Sequence, residues 1–239
     1  MKFYNSFKYF SLIFLLSTIT TQIFTQAAPV LQLSTFQFSG ASVLPTYKRA
    51  NGATMVILGQ EAFGRDKGTY DDFGGRKDRR EKHPEITAAR ECFEELILGK
   101  TARSSLRKIR KHINVDSGNT EYIIARTSKK SVVYITDFSK YWDSIRKKFY
   151  SARRASRSST CKEKNHLVVT NWNTLETAIS QSKPGQSVTI QAYAIKKDGS
   201  YSKTPITIPL RQFFVAKLRP FFQNQPFTQG RNAKIRFYQ

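Results

Sequence analysis

The sequence predicts an α/β fold, a mixed β-sheet with helices on its faces. Three observations predict it. Short β-rich runs outnumber helical ones and alternate with them in small groups. Asn51-Gly52 stands between two such runs as a hairpin signal. Several segments repeat apolar residues at the spacing of an amphipathic helix. The 239 residues suit one domain with embellishments, and 39% hydrophobic content is enough for a real core.

The elements follow in order. The first residues read as a leader: Lys2 and Lys8 precede a short apolar run, and small residues surround Ala27 and Ala28. That order matches a secretory signal peptide over 1–28, with export to a periplasm or the outside. Ser17, Thr18, Thr20 and Thr21 interrupt the apolar run, so a membrane anchor is the weaker alternative. A domain over 38–222 follows, then a frayed tail over 223–239. Ala41–Arg49 and Ala53–Glu61 are β-runs, Gly64–Gly68 a polar turn, and Thr69–Gly75 a short strand ending in two glycines. To this point the pattern is a β-meander.

A charged loop, Arg76–His83, leads to Pro84, well placed in a first helical turn because its missing N–H has no helical partner to lose. Ala89, Cys92, Phe93 and Leu96 make an apolar stripe that predicts a helix over 85–98, stopped by Gly99. The basic segment from Lys100 to Ile113 continues as helix or irregular connection. Glu121–Thr127 and Ser131–Phe138 are two strands. Ser139 begins a helix with Tyr141, Trp142, Ile145 and Phe149 on one face, dissolving into an Arg/Ser-rich patch over 151–160. Lys164–Trp172 is a strand, and an Asn-capped helix begins at Asn173. Ser187–Ile195 and Thr204–Ile208 form a hairpin, and Pro209–Phe222 an amphipathic helix with Pro209 near its start. Two cysteines make no disulfide framework; Cys92 is expected as a buried thiol.

Charge narrows the partners. Forty Lys+Arg against seventeen Asp+Glu give +23, which favours anionic partners and says little about fold. Nucleic acid, polyphosphorylated metabolites and an anionic membrane surface all suit that field. Against this background the stretch RECFEEL, Arg90–Leu96, concentrates Glu91, Glu94 and Glu95 at i, i+3 and i+4. Like charges at that spacing cost roughly 0.2–0.5 kcal/mol per pair on an isolated helix. A solvated, ion-paired helix face would tolerate them. A divalent cation would make use of them, and hard carboxylate oxygens favour Mg²⁺, with Mn²⁺ as a substitute. Arg90 is placed to fix one carboxylate by a bidentate contact.

The context of that stretch is Gly74-Gly75, five residues, Glu81, eight residues, then Arg90-Glu91-Cys92-Phe93-Glu94-Glu95. This resembles the signature of the Nudix hydrolases: Gly, five residues, Glu, seven residues, Arg-Glu-hydrophobic-x-Glu-Glu-x-Gly. The sequence departs from it in two places. Eight residues stand where seven are usual, so either the loop carries an insertion or Glu81 is not the equivalent glutamate. Ile97 stands where the pattern has glycine.

The resemblance implies a Nudix-type α/β/α sandwich and a pyrophosphohydrolase acting on a nucleoside-diphosphate-linked or similarly polyphosphorylated substrate. It implies that Glu91, Glu94 and Glu95 ligate Mg²⁺ or Mn²⁺, with a carbonyl of Gly74 or Gly75 adding a ligand. By the same resemblance Glu91 helps deprotonate the attacking water and Arg90 orients a carboxylate. A further acidic group from a distant loop is expected, and Glu163 is the candidate. Arg76, Lys77 and Arg79, in the cationic loop, are the candidates for holding substrate phosphates. RNA and an anionic membrane surface stay open as partners, and no specific protein partner is evident. A non-catalytic Nudix-like module binding RNA or a phosphorylated ligand is the alternative reading. Phe63, Tyr70 and Phe73 read as core before they read as base-stacking groups, and none of His83, His112 and His166 is expected to be catalytic.

Overall fold

The computed structural model describes residues 36–97, 103–126, 130–156, 162–224 and 234–238. The leader over 1–28, Gly99, the part of the 151–160 patch beyond Ser156, and Cys161 lie outside the described residues. The architecture below belongs to the compact unit Gln37–Gln239.

The strands are β1 (Gly40–Lys48), β2 (Thr54–Glu61), β3 (Tyr70–Asp71), β4 (Phe73–Arg76), β5 (Thr120–Arg126), β6 (Ser131–Asp137), β7 (Lys164–Asn171), β8 (Thr189–Ala194), β9 (Ile206–Pro209) and β10 (Lys234–Tyr238). The helices are α1 (Pro84–Cys92), α2 (Arg103–Ile113), α3 (Ser139–Ala155), α4 (Trp172–Ser180) and α5 (Gln212–Asn224). The strands join in one mixed sheet with the path β10-β5-β6-β1-β2-β7-β8-β9. β1 runs parallel to β6 and β10 parallel to β5; the other pairs are antiparallel.

Runs of fully buried residues explain the central strands. Met55–Leu58 in β2 and Val132–Ile135 in β6 are covered on both faces, so alternation gives way to continuous apolar sequence. One face packs α4 and α5 through Trp172, Leu175, Ile179, Phe214, Leu218 and Phe221 against β-sheet residues such as Leu44, Val56, Val168 and Ile190. The other face carries α1, α2 and α3, with Cys92, Phe93, Phe138, Trp142 and Phe149 buried. The result is the expected sandwich with a mixed sheet.

Several local expectations change. The first strands are not a simple meander. β1 pairs with β2 only over Thr46–Lys48, while Gly40–Val43 pairs with β4. β2 in turn meets β3 at Gly59 and Gln60. β1 and β2 therefore fork, and Tyr70–Arg76 fills the fork. Helix α1 ends at Cys92 and passes into a π-helical turn, Phe93–Ile97. Tyr141 is 38% exposed and leaves the buried face of α3 to Trp142, Ile145 and Phe149. That helix persists to Ala155, into the Arg/Ser-rich patch.

Trp172 belongs to α4, whose cap is Asn171; its side chain accepts the Asn173 N–H at 2.8 Å. Pro209 closes β9 and α5 starts at Gln212, with Pro220 inside it. Residues 234–238, expected in a frayed tail, form β10 beside β5. Cys92 is a buried free thiol, as anticipated. Among the described residues no helix is long and apolar enough to cross a membrane.

Candidate active site

The fork between β1 and β2 brings the site together. β4 sets Gly74 and Gly75 beside Ser42 and Ala41. α1 lies against β1 and β4 and delivers Arg90 and Glu91, and the π-turn delivers Glu94 and Glu95. The wider π-turn changes the angular step after Cys92, yet all three glutamates line one cavity of about 600 Å³. π-turns inside helices are frequent at functional sites. Glu61 from the end of β2, Asp78, Glu163 and Arg211 complete the wall with Gly74, Gly75, Arg76 and Arg90.

Arg90 organises the acidic cluster. Its Nε donates to Glu81 Oε1 at 2.8 Å, its Nη1 lies 2.8 Å from Glu91 Oε1 and 3.4 Å from Glu94 Oε2, and its Nη2 donates to the Arg76 carbonyl at 3.0 Å. Glu81 also accepts from the Thr87 hydroxyl at 2.5 Å and the Asp78 N–H at 2.8 Å. Burial opposes ionisation of Glu81, but these donors hold its carboxyl below the usual range. Glu81 is thus the anchor of Arg90 and does not line the cavity.

Glu95 is buried and accepts the Gly74 N–H at 2.8 Å. Burial pushes its carboxyl well above the ordinary range; the Lys164 ammonium opposes this, while Asp71, Glu91 and Glu61 add to it. Burial also raises Glu91, to about 7, with Glu94 and Glu163 raising it further and Arg90 opposing. Gly75 is the reason Glu91 fits: a Cβ at position 75 would stand 2.4 Å from Glu91 Oε1.

The donor chemistry suits a hard divalent cation: Glu91, Glu94, Glu95 and Glu163 supply carboxylate oxygens around one basin, and the missing side chain at Gly75 admits the Glu91 carboxylate to it. The carboxylates are engaged with Arg90 and Gly74. Among the described residues no three His, Cys, Asp or Glu side chains already converge on one point. Binding an ion would therefore exchange protein partners for the metal.

Of the candidate phosphate-binding residues, Arg76 lines the cavity. Lys77 is turned away, its Nζ 4.5 Å from the Phe38 ring centre. Arg79 is exposed and does not line the cavity. Glu163 does line it. Tyr70 and Phe73 are core, whereas Phe63 is 60% exposed.

Beneath the cavity lies a charge network that sequence reasoning missed. Lys164 is 1% exposed; its ammonium pairs with Glu61 at 2.7 Å and with Asp71. Burial pulls its pKa down, but Glu95, Asp71 and Glu61 outweigh this and keep it protonated. Arg211 Nη1 bonds Glu61 and Asp71, each at 3.0 Å, and its Nε bonds Asp66 at 2.8 Å. A second hollow of about 420 Å³ shares Gly74, Gly75, Arg76 and Arg211 with the first and holds a buried Lys217–Asp72 pair at 2.6 Å. The only signal for these groups was the acid pair Asp71-Asp72 set in an otherwise β-like run.

No family profile matches the chain, and no curated protein matches it. Solved structures similar to it include a Nudix hydrolase from M. smegmatis, RenU (18% identity, TM-score 0.30, covering 42% of this chain and 58% of that one), a MutT/nudix family protein from Enterococcus faecalis (13%, 0.36, 82% and 57%) and a NUDIX hydrolase from Nitrosomonas europaea (17%, 0.26, 43% and 47%). The chain spans about half the length of these structures. These three are Nudix proteins by description, each likeness partial and at low identity.

Proposed function

We propose that this protein is a metal-dependent Nudix pyrophosphohydrolase, cleaving a phosphoric anhydride in a nucleoside-diphosphate-linked or similarly polyphosphorylated substrate. One observation carries the reading. Glu91, Glu94, Glu95 and Glu163 line one cavity against Gly74-Gly75, with Arg90 bracing Glu91 and Glu94 from Glu81.

Glu91, Glu94 and Glu95, with the Gly75 carbonyl, would hold Mg²⁺ or Mn²⁺. Such an ion neutralises a pyrophosphate and lowers the pKa of bound water. Glu91, held between Arg90 and Gly75, accepts the proton of the attacking water. Arg90 fixes the direction of that carboxylate through its fork of N–H groups. Arg76, at the cavity wall, takes a substrate phosphate. The leader implies that this chemistry takes place after export.

A panel of nucleoside diphosphate derivatives, incubated with Mg²⁺ or Mn²⁺, tests the reading. Phosphate-containing product should appear with metal, vanish with chelator, and fall at least 100-fold in Glu91→Gln and Glu94→Gln, in line with a general base being worth roughly 10²–10⁴-fold. Wild-type turnover by both variants sinks the assignment. Tight binding of the panel without turnover supports instead the non-catalytic module, which the engagement of the carboxylates by Arg90 and Gly74 would suit.

A further inference from the structure

Among the described residues, a basic array that the cavity does not use lies on α3. Along α3 the exposed positions Lys140, Ser144, Lys147, Lys148, Ser151 and Arg154 recur at helical spacing and form an outer stripe. At 1.5 Å per residue its 17 residues extend about 25 Å.

The turn between β8 and β9 widens this stripe. Arg146 Nη1 donates to the Gly199 carbonyl at 2.5 Å, and the Tyr150 hydroxyl donates to the Ile195 carbonyl at 2.7 Å. A Cβ at position 199 would stand 2.8 Å from Lys147 Cα, so the turn lies directly on the helix backbone and sets exposed Lys196 and Lys197 beside Lys147. The acidic groups here are already engaged. Asp143 pairs with Arg146 at 2.8 Å, and Asp198 accepts from the Ser200 N–H at 2.8 Å and hydroxyl at 2.7 Å.

The two ends of the stripe differ. Near its start, half-buried Tyr193 and Tyr201 stand with arginines over their rings: Arg49 lies 5.9 Å from the Tyr193 centre and 6.0 Å from that of Tyr201, and Arg146 lies 5.4 Å from the latter. The Trp142 indole N–H bonds the Tyr201 hydroxyl at 2.7 Å and fixes that ring to the helix. Near its end, Arg153 grips the chain on both sides of Glu163, donating to the Lys164 carbonyl at 2.9 Å and the Lys162 carbonyl at 3.4 Å. Glu163 lines the candidate active site. The stripe therefore runs from an aromatic–guanidinium platform to the rim of the cavity.

We propose that the outer face of α3 and the β8–β9 turn form a docking track for single-stranded RNA, whose phosphorylated end enters the cavity. A groove of cations tracking a backbone, with aromatic rings for bases, is how single strands are held without sequence readout. A membrane surface would use the cations and leave the rings idle. The proposal rests on the pyrophosphohydrolase reading for what happens at the phosphorylated end, and on the track alone for binding.

The test is fluorescence anisotropy of the full chain with a labelled oligouridine of about 12 nucleotides, within the site sizes of single-strand binders. Lys147→Ala with Lys148→Ala, both exposed, should weaken binding on the order of tenfold at 0.1 M salt. The same pair should flatten the slope of log affinity against log salt by about 1.4, at roughly 0.7 per phosphate contact. Lys196→Ala with Lys197→Ala should act likewise, and Tyr193→Ala should weaken binding without changing the slope. Hydrolysis of a small dinucleoside substrate should stay at wild-type rate in both lysine pairs. Wild-type RNA affinity in both pairs overturns the track. Equal competition by inorganic polyphosphate of matched charge overturns the nucleotide assignment, and displacement of RNA by anionic vesicles at matched charge overturns it in favour of a membrane. If no substrate is hydrolysed and RNA binding still follows these residues, the track stands and the activity falls.

Discussion

Gly59 leaves the room through which Lys164 crosses the sheet: a Cβ at position 59 would stand 2.9 Å from Cγ and Cδ of the lysine. The two residues lie on paired strands, β2 and β7, and the lysine ends on Glu61 and Asp71. Gly59→Ala should therefore destabilise the fold by about 1–3 kcal/mol, as overpacking does. Urea unfolding measures it. In a Lys164→Ala background the added cost should shrink, giving a coupling that a double-mutant cycle resolves.

Breaking the buried pair from its other side should cost more. Lys164→Met leaves Glu61 and Asp71 with Arg211 as the cation they share. Removing one partner of a buried ion pair costs about 3–5 kcal/mol. A urea midpoint equal to that of wild type would show that the network carries no net stability.

Gly75→Ala separates site from fold. The new methyl meets the far end of the Glu91 side chain, which can swing away, so the melting temperature should change little. Displacing a carboxylate by about 1 Å should lower turnover roughly 100-fold. Parallel melts and rate measurements on the same preparation check both halves.

Arg90→Lys should fail where a charge-only role would tolerate it. The guanidinium reaches Glu81 and Glu91 and also the Arg76 carbonyl, and one ammonium cannot reproduce that fork. Turnover should fall at least tenfold by the cost of a lost charge-assisted hydrogen bond, with Mn²⁺ affinity, read by calorimetry, falling too.

Stability should weaken on mild acidification through His112 and His166. Burial lowers the pKa of both below the ordinary 6.5, so the folded state favours the neutral rings. Their stabilising contribution is full above pH 6.5 and declines as pH falls from there toward the folded-state values. Glu91 and Glu95, whose carboxyls burial raises, act in the opposite sense over the same range, so the histidines are read as a difference. Between pH 7.5 and 5.5 the wild-type urea midpoint should fall further, or rise less, than that of His112→Gln with His166→Gln. His112 Nε2 donates to the Asp137 carbonyl, 2.8 Å away; a carbonyl can only accept, so Nε2 carries the proton.

Much of the site was legible because it is local. Arg90, Glu91, Glu94 and Glu95 share a helical period, and Gly74-Gly75 lies close upstream in the chain. Most strands were legible for the same reason, each being a short apolar run bounded by turn residues, whereas β10 was expected in a frayed tail. What escaped depends on partners far apart in sequence. Lys164 reads as one more charge at the start of a strand until β7 pairs with β2 and brings it to Asp71. Likewise nothing near Asp72 announces Lys217. The fork of β1 and β2 escaped because hairpin chemistry fixes only the residues beside the turn. The π-turn escaped because its residues fit an α-helical stripe equally well.

β10 has a consequence for handling the molecule. It lies parallel to β5 and covers an edge that would otherwise present unpaired backbone N–H and C=O groups. Exposed edges of that kind template pairing with further chains. A truncation after Asn224, chosen to trim what looks like a loose tail, would leave β5 open and invite sheet-to-sheet self-association. Poor solubility of such a fragment would then report an uncovered edge and not a misfolded core.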